Sequence, residues 1–441
     1  MNYRILNIVL FLYVCVGLPA QNPEKPRRVA GPVIGAVTRT SAKIWICYRG
    51  HGDNIIMLYD TTDKTYHYAT RLEKINDRKG NFAMNMTFSN LCPGHVYKVH
   101  YNTDPLLPRP RCIFKTQEDT PVYDFRFLTG SCNYMSPGIG RVVFPGLSIR
   151  IFYAMKRKRA DFMVWLGDNV YYMFRDYRGF DNMFARQLKI RDRFFALSDF
   201  MNGIANYSIW DDHDYGWNDA DKDFPYKEDA LKIFKGFWPN DYSGQDTFPG
   251  TYFTFRYYDA EFFMTDNRWY LDPEGDTNGA YLGSQQLTWL QKKLAASDAT
   301  FKFICSGSQV LSDAWFDDSY AKYSAERNRL LNFIADSNIT GVIFLSGDKH
   351  FTELSKQMWK GYPFYDFTCS PLTSPVLPTK NLKGFINSYS IRSTVLYRKN
   401  FGMLHITGPP EDRKCVIEVF KKSGKKAWEY VISARDIKRG E

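Results

Sequence analysis

Histidine is scarce in this chain, and its scarcity limits the kinds of metal site that the chain can build. The 441 residues include seven histidines, and only His213, His350 and His405 lie beyond residue 117. Three imidazoles are too few for a histidine-rich dizinc site. A metal bound beyond residue 117 would therefore take most of its ligands from other side chains.

Cysteine spacing argues against another kind of metal site. The eight cysteines form no C-x-x-C pair and no zinc-finger pattern, so we expect no structural zinc site. Cys15 lies in the N-terminal apolar run, and the remaining seven cysteines are an odd number. In an oxidising compartment at least one of these thiols is free, bound to metal or paired between chains. Which cysteines pair, if any, stays open.

Two nucleophile motifs of hydrolases are also missing. The chain has no G-x-S-x-G elbow, which argues against a serine hydrolase. A cysteine-based phosphatase needs an arginine six positions after its cysteine, whereas the first arginine after Cys132 is Arg141, nine positions on. Internal repeats and low-complexity tracts are absent as well, which excludes a repeat architecture.

Long hydrophobic runs are absent apart from a short one at the N-terminus. There, Arg4 precedes an apolar run from Ile8 to Val16, and small or turn-forming residues continue to Ala20. The run is too short to span a bilayer, and the pattern is that of a secretory signal peptide over residues 1–20. We expect cleavage after Ala20, no transmembrane anchor, and a soluble product that is secreted, periplasmic or at the cell surface.

The composition is that of a globular protein with an anionic partner. Hydrophobic residues make up 44% and charged residues 24%, and the high aromatic content of 17% suits β-rich structure and aromatic-lined clefts. The net charge of +11 favours a phosphate-ester small molecule, a polyanion or a membrane surface. We expect no sequence-specific nucleic-acid partner, and the oligomeric state stays open.

Residues 29–117 predict a small all-β unit. Alternating apolar and polar positions run through SAKIWICY, and two further strand-like runs flank an NLCPG turn. No long helical pattern interrupts them. This spacing predicts an N-terminal β-sandwich of the immunoglobulin or fibronectin type III kind, followed by a second domain over residues 118–441.

The second domain has a different pattern. Apolar runs alternate with amphipathic stretches, which predicts an α/β domain, and the chain ends in a predicted hairpin around Ser423 and Gly424. Six apolar runs end in polar residues of the kinds that enzymes use: FRFLTGSC, DFMVWLGD, YSIWDDHD, EFFMTDNR, FKFICSGSQ and TGVIFLSGDKH. Because loops at the carboxyl ends of such strands converge on one crevice, we expect a single site.

The polar residues at these strand ends are those of a metal centre. They include Cys132, Asn133, Asp168, Tyr171, Asp211, Asp212, His213, Asp214, Arg268, Asp348 and His350. Carboxylates repel each other, so a cation would explain the DDHD cluster around His213, and two or more ions would activate water against a phosphate ester. We expect glycine before Asp168 and Asp348 to turn the backbone toward the metal, and Arg268 to bind a phosphoryl oxygen.

Each piece taken alone has a plainer explanation. A GD pair often only caps a turn, a lone cysteine is usually buried and inert, and DDHD is also compatible with a turn or a calcium loop. The conjunction of all of them at strand ends favours a metallohydrolase.

The motifs GSC, LGDNVYY, WDDHD, TDNR, GSQ and LSGDKHFTEL occur in this order along the chain. In type and order they resemble those of the PhoD-like alkaline phosphatase family, within the metallophosphoesterases. Residues 29–117 resemble that family's N-terminal β-sandwich, so the resemblance covers nearly all of the chain after residue 20. It implies a four-layer α/β/β/α catalytic domain and phosphomonoesterase or phosphodiesterase activity outside the cytoplasm.

The resemblance also implies a ligand set with iron and calcium as cofactors. Cys132, Asp168 and Tyr171 match the family's ferric-iron ligands, with Asp168 also bridging to a second metal. Asp212 is assigned to that second ion, which we expect to be calcium because oxygen donors suit it. The terminal metal-binding motif is matched by Asp348 and His350. Zinc and manganese are the alternatives that rank after iron and calcium.

Three residues are assigned to catalysis. His213 is the candidate proton donor to the leaving group, although it could equally orient Asp212. Arg268 and Asn133 complete the group, and Asn133 stands where the family frequently has glutamine. Two further departures from the family pattern, Asp214 in place of glutamate and Lys349 beside the metal, leave the choice between monoester and diester open.

One competing function belongs to another class. The chain could be an exported binding protein with a degenerate hydrolase domain and a β-sandwich that contacts glycans or a surface. The presence of every expected ligand type favours the enzyme. The roles of Gln309 and Trp315 stay open between contact with substrate and simple packing.

Overall fold

The fold is described by a computed structural model. It describes residues 27–50, 56–101, 112–135, 149–242, 247–274, 278–314, 318–377, 384 and 386–440. The predicted signal peptide, Cys15 and Trp315 lie outside these ranges. Within them, no helix has the length and apolar character needed to cross a bilayer.

The N-terminal part consists of two four-stranded antiparallel sheets. The first has the order β1 (Arg27–Val37), β2 (Ser41–Arg49), β6 (Asn81–Ser89) and β5 (Arg71–Asn76). The second has the order β4 (Tyr66–His67), β3 (Ile56–Asp60), β7 (Val96–Tyr101) and β8 (Ile113–Lys115). The predicted all-β character of this part is confirmed, whereas the sandwich type and the division at residue 117 stay predictions.

The two small sheets share one buried hydrophobic cluster. Ile44 and Ile46 of β2 and Leu58 and Val99 of the second sheet all belong to it, and all four are fully buried. Burying one such side chain contributes about 1.5–3 kcal/mol. This packing joins the two small sheets.

The remainder of the chain forms two six-stranded sheets. The first large sheet has the order β11 (Ala205–Ile209), β10 (Phe162–Leu166), β9 (Phe125–Gly130), β18 (Asn400–Thr407), β19 (Lys414–Lys421) and β20 (Lys426–Ser433). The second has the order β12 (Phe253–Tyr257), β13 (Ala260–Met264), β14 (Phe301–Ser306), β15 (Val342–Ser346), β17 (Tyr362–Thr368) and β16 (Glu353–Trp359). All six apolar runs singled out in the sequence are strands, and the hairpin around Ser423 and Gly424 joins β19 to β20.

Helices connect many of these strands. They are α1 (Arg150–Lys156), α2 (Phe180–Arg193), α3 (Phe195–Met201), α4 (Asp212–Tyr215), α5 (Lys227–Phe237), α6 (Ser284–Ala296) and α7 (Ser324–Asp336). The sequence stretches GSQQLTWLQKKLAAS and SAERNRLLNFIADS form α6 and α7, as their periodicity predicts. The mixed α/β fold is therefore confirmed.

The two large sheets meet through an aromatic core. Phe127 of β9 stacks on Phe162 of β10 and meets the rings of Phe262 and Phe303, both in the second large sheet, edge-on at 5.0 and 5.2 Å. Strands β10, β11, β14 and β15 are buried along their whole length, as expected for parallel strands covered on both faces. The four-layer order of the complete domain stays a prediction.

Candidate metal centre

The candidate ligands follow strands that run parallel within each large sheet. In the first sheet, β9, β10 and β11 lead into the loops that carry Cys132, Asp168 and Asp212. In the second, β15 leads into Asp348 and His350. Because parallel strands end at the same edge, each sheet presents its loops together.

Several of these residues adopt a left-handed backbone conformation. The φ angle is 56° at Cys132, 53° at Asp168, 64° at Asp348 and 56° at His350. Such angles are uncommon for residues with a Cβ and cluster at functional sites, where the surrounding structure must stabilise them. The sharp turns place each ligand directly after its strand.

The two glycines that precede ligands have different reasons to be there. Gly167 has φ +86°, and a Cβ on it would lie 2.6 Å from the Cβ of Asp211. Gly347 lacks a positive φ, so Asp348 itself, with φ 64°, makes the turn that was expected of the glycine. A Cβ on Gly347 would instead lie 2.4 Å from the carbonyl oxygen of Leu166, so close packing of two loops requires glycine there.

The structure groups the candidate ligands into two overlapping clusters. Ligand atoms of Cys132, Asp168 and His350 lie within 4.8 Å of one another, and so do those of Asp168, Asp212 and His213. Asp168 is common to both clusters. Its Oδ2 accepts a 2.7 Å hydrogen bond from the Tyr171 hydroxyl, and its Oδ1 accepts one of 3.3 Å from the backbone N–H of His213. Both carboxylate oxygens of Asp168 thus accept hydrogen bonds within the centre.

Tyr171 links the two clusters. Its hydroxyl lies 3.2 Å from Nε2 of His350 and accepts a 3.1 Å hydrogen bond from Ser374. Its ring stacks on that of His213, with the centroids 4.1 Å apart. Burial and the neighbouring Asp168 carboxylate raise the pKa of Tyr171 well above its ordinary value, so a phenolate here requires a cation beside it.

Cys132 is fully buried between polar groups of both sheets. Its Sγ accepts a 3.0 Å hydrogen bond from the Ser370 hydroxyl and lies 3.3 Å from the carbonyl oxygen of Asp348. Burial raises the pKa of the Cys132 thiol, and the carboxylates of Asp168 and Asp348 raise it further. No disulfide forms among the described cysteines, so Cys132 is a free thiol.

The carboxylates of the centre are too crowded to be ionised together without a cation. Burial raises the pKa of Asp168, and the charges of Asp212 and Asp211 add to the effect. Burial also raises the pKa of Asp211, against the attraction of Arg268. Burial alone would raise the pKa of Asp212 too, but His213 and Arg268 outweigh it and lower that pKa to about 2. Asp168 and Asp211 therefore resist ionisation unless a cation lies beside them.

Unpaired buried atoms show that the residues fit a metal. Within the described part of the chain, Oδ1 of Asp212, Oδ2 of Asp211 and Nδ1 of His350 have no hydrogen-bond partner. A buried acceptor without a partner costs about 1–3 kcal/mol, and such atoms in native structures commonly indicate a missing ion or water. Carboxylate oxygens, an imidazole and a thiol together are chemically suited to bind transition-metal and calcium ions.

Arg268 lies in a buried ion-pair network rather than in an open cleft. Its Nε donates a 2.6 Å hydrogen bond to Oδ1 of Asp211, and its Nη2 donates one of 2.6 Å to Oδ2 of Asp318. Its Nη1 is buried and, among the residues that the structure describes, has no partner. The predicted contact of Arg268 with a phosphoryl oxygen stays a prediction.

Asn133 and Gln309 are held by hydrogen bonds within the protein. Nδ2 of Asn133 donates to the carbonyl of Asn169 at 3.1 Å, and its Oδ1 accepts from the Thr373 hydroxyl at 3.1 Å. The Nε2 of Gln309 donates to Glu353 at 2.8 Å. These contacts favour packing as the role of Gln309, while the catalytic role of Asn133 stays a prediction.

Some residues of the centre escaped the sequence analysis. Asp318 pairs with Arg268, and its backbone carbonyl accepts a hydrogen bond from Nζ of Lys349, which also donates to Oδ2 of Asp348 at 2.9 Å. Ser370 and Ser374 lie after β17, a strand that the apolar pattern did not reveal. Their only sequence signal is their place in the polar run CSPLTSP that follows this strand.

Comparison with known proteins bears on the fold and the family of the chain. The curated alkaline phosphatase D of Bacillus subtilis (strain 168) is 23% identical over 340 residues, covering 58% of this chain and 54% of that protein, so the chain spans about half of its relative's length. A solved structure of PhoD superposes with a TM-score of 0.70 at 17% identity, covering 91% of this chain and 88% of that one. A purple acid phosphatase from yellow lupin (Lupinus luteus) seeds superposes with a TM-score of 0.65 at 12% identity, covering 94% and 75% of the two chains. These two structural likenesses concern the fold.

The family comparison covers the site itself. Residues 131–413 match the PhoD-like phosphatase family, and this range begins one residue before Cys132 and includes every candidate ligand. The matched range extends over more than half of the chain, and the motif order and the fold agree with it. The chain therefore belongs to the PhoD-like phosphatase family.

Proposed function

We propose that the chain is an exported, metal-dependent phosphoric-ester hydrolase that cleaves monoesters or diesters. The observation that carries this proposal is the position of Asp168, which belongs to both ligand clusters. A carboxylate shared by two ion sites is suited to hold two metals side by side. Two adjacent metals can bind a phosphate ester and activate the attacking water.

The proposed ligands divide by donor type. Cys132, Asp168 and Tyr171 offer thiolate, carboxylate and phenolate, a set that suits ferric iron. Asp212 and Asp348 offer oxygen donors that suit calcium. His350 belongs to the same ligand cluster as Cys132 and Asp168. When bound, the metals would supply a water of lowered pKa at neutral pH.

The chain's own residues would perform the remaining tasks. His213 lies against Asp168 and Asp212 with its ring stacked on Tyr171, so its side chain is held in one orientation beside the centre. From there it would protonate the leaving oxygen. Arg268 would bind a phosphoryl oxygen through its unpaired Nη1, while Asp211 and Asp318 fix the guanidinium. Asn133 would keep the Cys132 loop against the Asp168 loop through its contact with Asn169.

Metal content and hydrolysis measured together test the proposal. The full chain is purified without added metals, its metals are quantified by elemental analysis, and it is assayed with p-nitrophenyl phosphate and bis-p-nitrophenyl phosphate. Iron with calcium and measurable hydrolysis is the expected result. If only zinc or manganese is found together with hydrolysis, the chain is still a hydrolase, but the assignment of ligands to iron and calcium is wrong. Absence of both metal and hydrolysis would overturn the assignment as an enzyme and favour an exported binding protein.

A matched pair of variants connects the activity to the centre. Asp168→Asn keeps the side-chain volume but removes the shared charge, so we expect loss of metal and of hydrolysis in a folded protein. Asp77→Asn alters a buried carboxylate that accepts hydrogen bonds within the β5–β6 turn. That control should retain both metal and activity, and equal activity in the two variants would contradict the proposal.

A further inference from the structure

A second group of metal-ligating side chains lies in the N-terminal sheets, apart from the candidate metal centre. Asp60 ends β3, and Asp63 lies in the turn that follows. Cys92 and His95 lie in the turn between β6 and β7. One ligand atom from each of these four residues lies within 4.8 Å of those of the other three. We refer to Asp60, Asp63, Cys92 and His95 as the turn cluster.

The distances within the turn cluster approach those around a tetrahedral ion. Nδ1 of His95 lies 2.8 Å from Oδ2 of Asp60 and 3.9 Å from Oδ2 of Asp63. Sγ of Cys92 lies 4.0 Å from the same oxygen of Asp63. Bonds of about 2.0–2.3 Å to zinc place tetrahedral ligand atoms about 3.3–3.8 Å apart. The measured separations bracket this range, so small side-chain rotations would bring all four ligand atoms onto one ion.

Hydrogen bonds to the backbone hold the aspartate turn in place. Asp60 is fully buried, and its Oδ1 accepts hydrogen bonds from the N–H groups of Thr62 at 2.8 Å and Asp63 at 3.2 Å. Its Oδ2 is the oxygen that faces His95. One carboxylate oxygen thus fixes the turn, and the other is directed at the cluster, as is common for metal ligands with supporting hydrogen bonds.

The cysteine–histidine turn is fixed in a similar way. The Thr116 hydroxyl donates a 2.6 Å hydrogen bond to the carbonyl of Cys92 and accepts one of 3.1 Å from the N–H of His95. The Tyr97 hydroxyl accepts a 2.8 Å hydrogen bond from the N–H of Cys92. Both ligand-bearing turns are therefore ordered before any ion binds, which lowers the entropic cost of binding.

The donor set selects the class of ion. A thiol and an imidazole are poor ligands for calcium and magnesium, which prefer sites made wholly of oxygen. Sulfur and nitrogen with two carboxylate oxygens are suited to zinc. The ligands come as two pairs, C-x-x-H and D-x-x-D, each with the same x-x spacing as the C-x-x-C pair that the chain lacks. These two pairs therefore do not match a sequence pattern of paired cysteines.

We infer that the turn cluster binds one zinc-type divalent cation with a structural role. Four protein ligands close the coordination sphere, as in structural zinc sites, and leave no position for a substrate. The same turn contacts the chain that leads toward the large sheets, since Gly94 N–H donates to the carbonyl of Gln117 at 3.1 Å. Gln117 in turn donates from Nε2 to the carbonyl of Val37 at 3.0 Å. The ion would thus join two turns of the N-terminal sheets beside the connection to the rest of the chain.

Zinc stoichiometry in the full chain tests this inference. The protein is stripped with a chelator, dialysed against zinc alone, and analysed for bound zinc. Cys92→Ser should bind one equivalent less than the wild type, because it removes the thiolate ligand. Asp63→Asn should raise the dissociation constant of that zinc at least about tenfold, since even loss of a supporting group costs 10–100-fold. Equal zinc content and affinity in all three proteins would overturn the inference.

Two controls separate the turn cluster from the candidate metal centre. Asp168→Asn removes a ligand of the centre only, so it should retain the zinc equivalent that Cys92→Ser loses; if Asp168→Asn binds no zinc, the turn cluster is not a zinc site. Asp119→Asn alters an exposed carboxylate paired with Arg39 and should bind as much zinc as the wild type. Circular dichroism and melting temperature in the absence of metal establish that each variant is folded.

Discussion

The sulfur of Cys132 lies 3.3 Å from the backbone carbonyl oxygen of Asp348. Cys132 follows β9 of the first large sheet, and Asp348 follows β15 of the second, so this contact joins loops from different sheets. Neither sheet carries the whole set of candidate ligands. Assembly of the centre therefore depends on how closely the two sheets pack, and substitutions that separate their loops should disturb metal binding.

Gly167→Ala should disturb the centre without touching a ligand. Its Cβ would lie 2.6 Å from the Cβ of Asp211, and its φ of +86° is unfavourable for alanine. Gly80→Ala is the matched control, because Gly80 has φ +73° and open space around its Cβ position. The left-handed conformation alone costs about 1–2 kcal/mol, which is what we expect for Gly80→Ala in the free energy of unfolding.

For Gly167→Ala we expect a larger loss of stability together with loss of bound metal and hydrolysis, because Asp211 must move. Urea denaturation and elemental analysis of both variants measure the two effects. Similar stability and metal content in the two variants would show that the contact with Asp211 has no consequence for the centre.

Arg268→Met should affect both stability and activity. The substitution leaves Asp211 buried without its positive partner, and breaking a buried pair in this way costs about 3–5 kcal/mol. Arg413 offers a matched control, since it is also fully buried and pairs with Asp259 through Nε at 2.7 Å. Arg413 lies after the 3₁₀ turn Pro410–Asp412, outside the loops that carry the candidate ligands.

We expect both arginine variants to unfold at lower urea concentration than the wild type. At a temperature where both are folded, only Arg268→Met should show a reduced kcat/KM for phosphate-ester hydrolysis. Equal kcat/KM in Arg268→Met, Arg413→Met and the wild type would assign Arg268 to stability alone.

The ends of strands in the large sheets were predictable because most of these strands are buried on both faces. Strands buried on both faces are mostly apolar, so the change to polar residues at Cys132, Asp168, Asp212 and Asp348 marks where each strand ends. The residue types at those ends then indicate metal chemistry. The positions of these strand ends depend only on local sequence and could therefore be predicted without the strand order.

Other features depend on contacts between distant parts of the chain. Strand β18 pairs with β9 across a separation of more than 250 positions, and no local pattern indicates that register. Asp318 joins the centre through Arg268, and Ser370 joins it through Cys132. The turn cluster likewise forms only when two separate turns meet. Pairing of this kind is determined by packing, which the sequence pattern does not display.

His213→Gln tests the proposed proton donor by varying the leaving group. A general acid contributes about 10²–10⁴-fold when the leaving oxygen is basic, and much less when it is a stable anion. We therefore expect kcat/KM to fall steeply for phenyl phosphate and only slightly for p-nitrophenyl phosphate. Steady-state kinetics with both substrates, on protein of known metal content, provide the measurement.

The alternative role of His213 predicts a different pattern. If the imidazole orients Asp212, the substitution should lower the metal content and reduce hydrolysis of both substrates by the same factor. Equal losses in His213→Gln for both substrates would exclude the proton-donor role.

Glu326 should give the stability of the fold a measurable pH dependence away from the centre. Glu326 lies in the first turn of α7. Its Oε2 accepts hydrogen bonds from the N–H groups of Tyr281 at 2.6 Å and Leu282 at 2.9 Å. Burial raises the pKa of Glu326 above its ordinary value of 4.5, and these hydrogen bonds only partly offset the effect. The folded state therefore binds a proton more tightly at this site than the unfolded state does.

The sign of the effect follows from this difference in proton binding. The contribution of Glu326 to the free energy of unfolding is fully present below the pKa that this carboxyl has in the unfolded chain. It is lost as the pH rises through the pKa in the folded protein, because the folded protein must then ionise a buried carboxyl. The melting temperature of the wild type should thus fall relative to that of Glu326→Gln as the pH rises from 4.5 toward neutrality. Glu429→Gln, which removes an exposed carboxylate paired with Lys426, controls for the loss of one charge. A constant difference between the wild type and Glu326→Gln across this pH range would contradict the raised pKa.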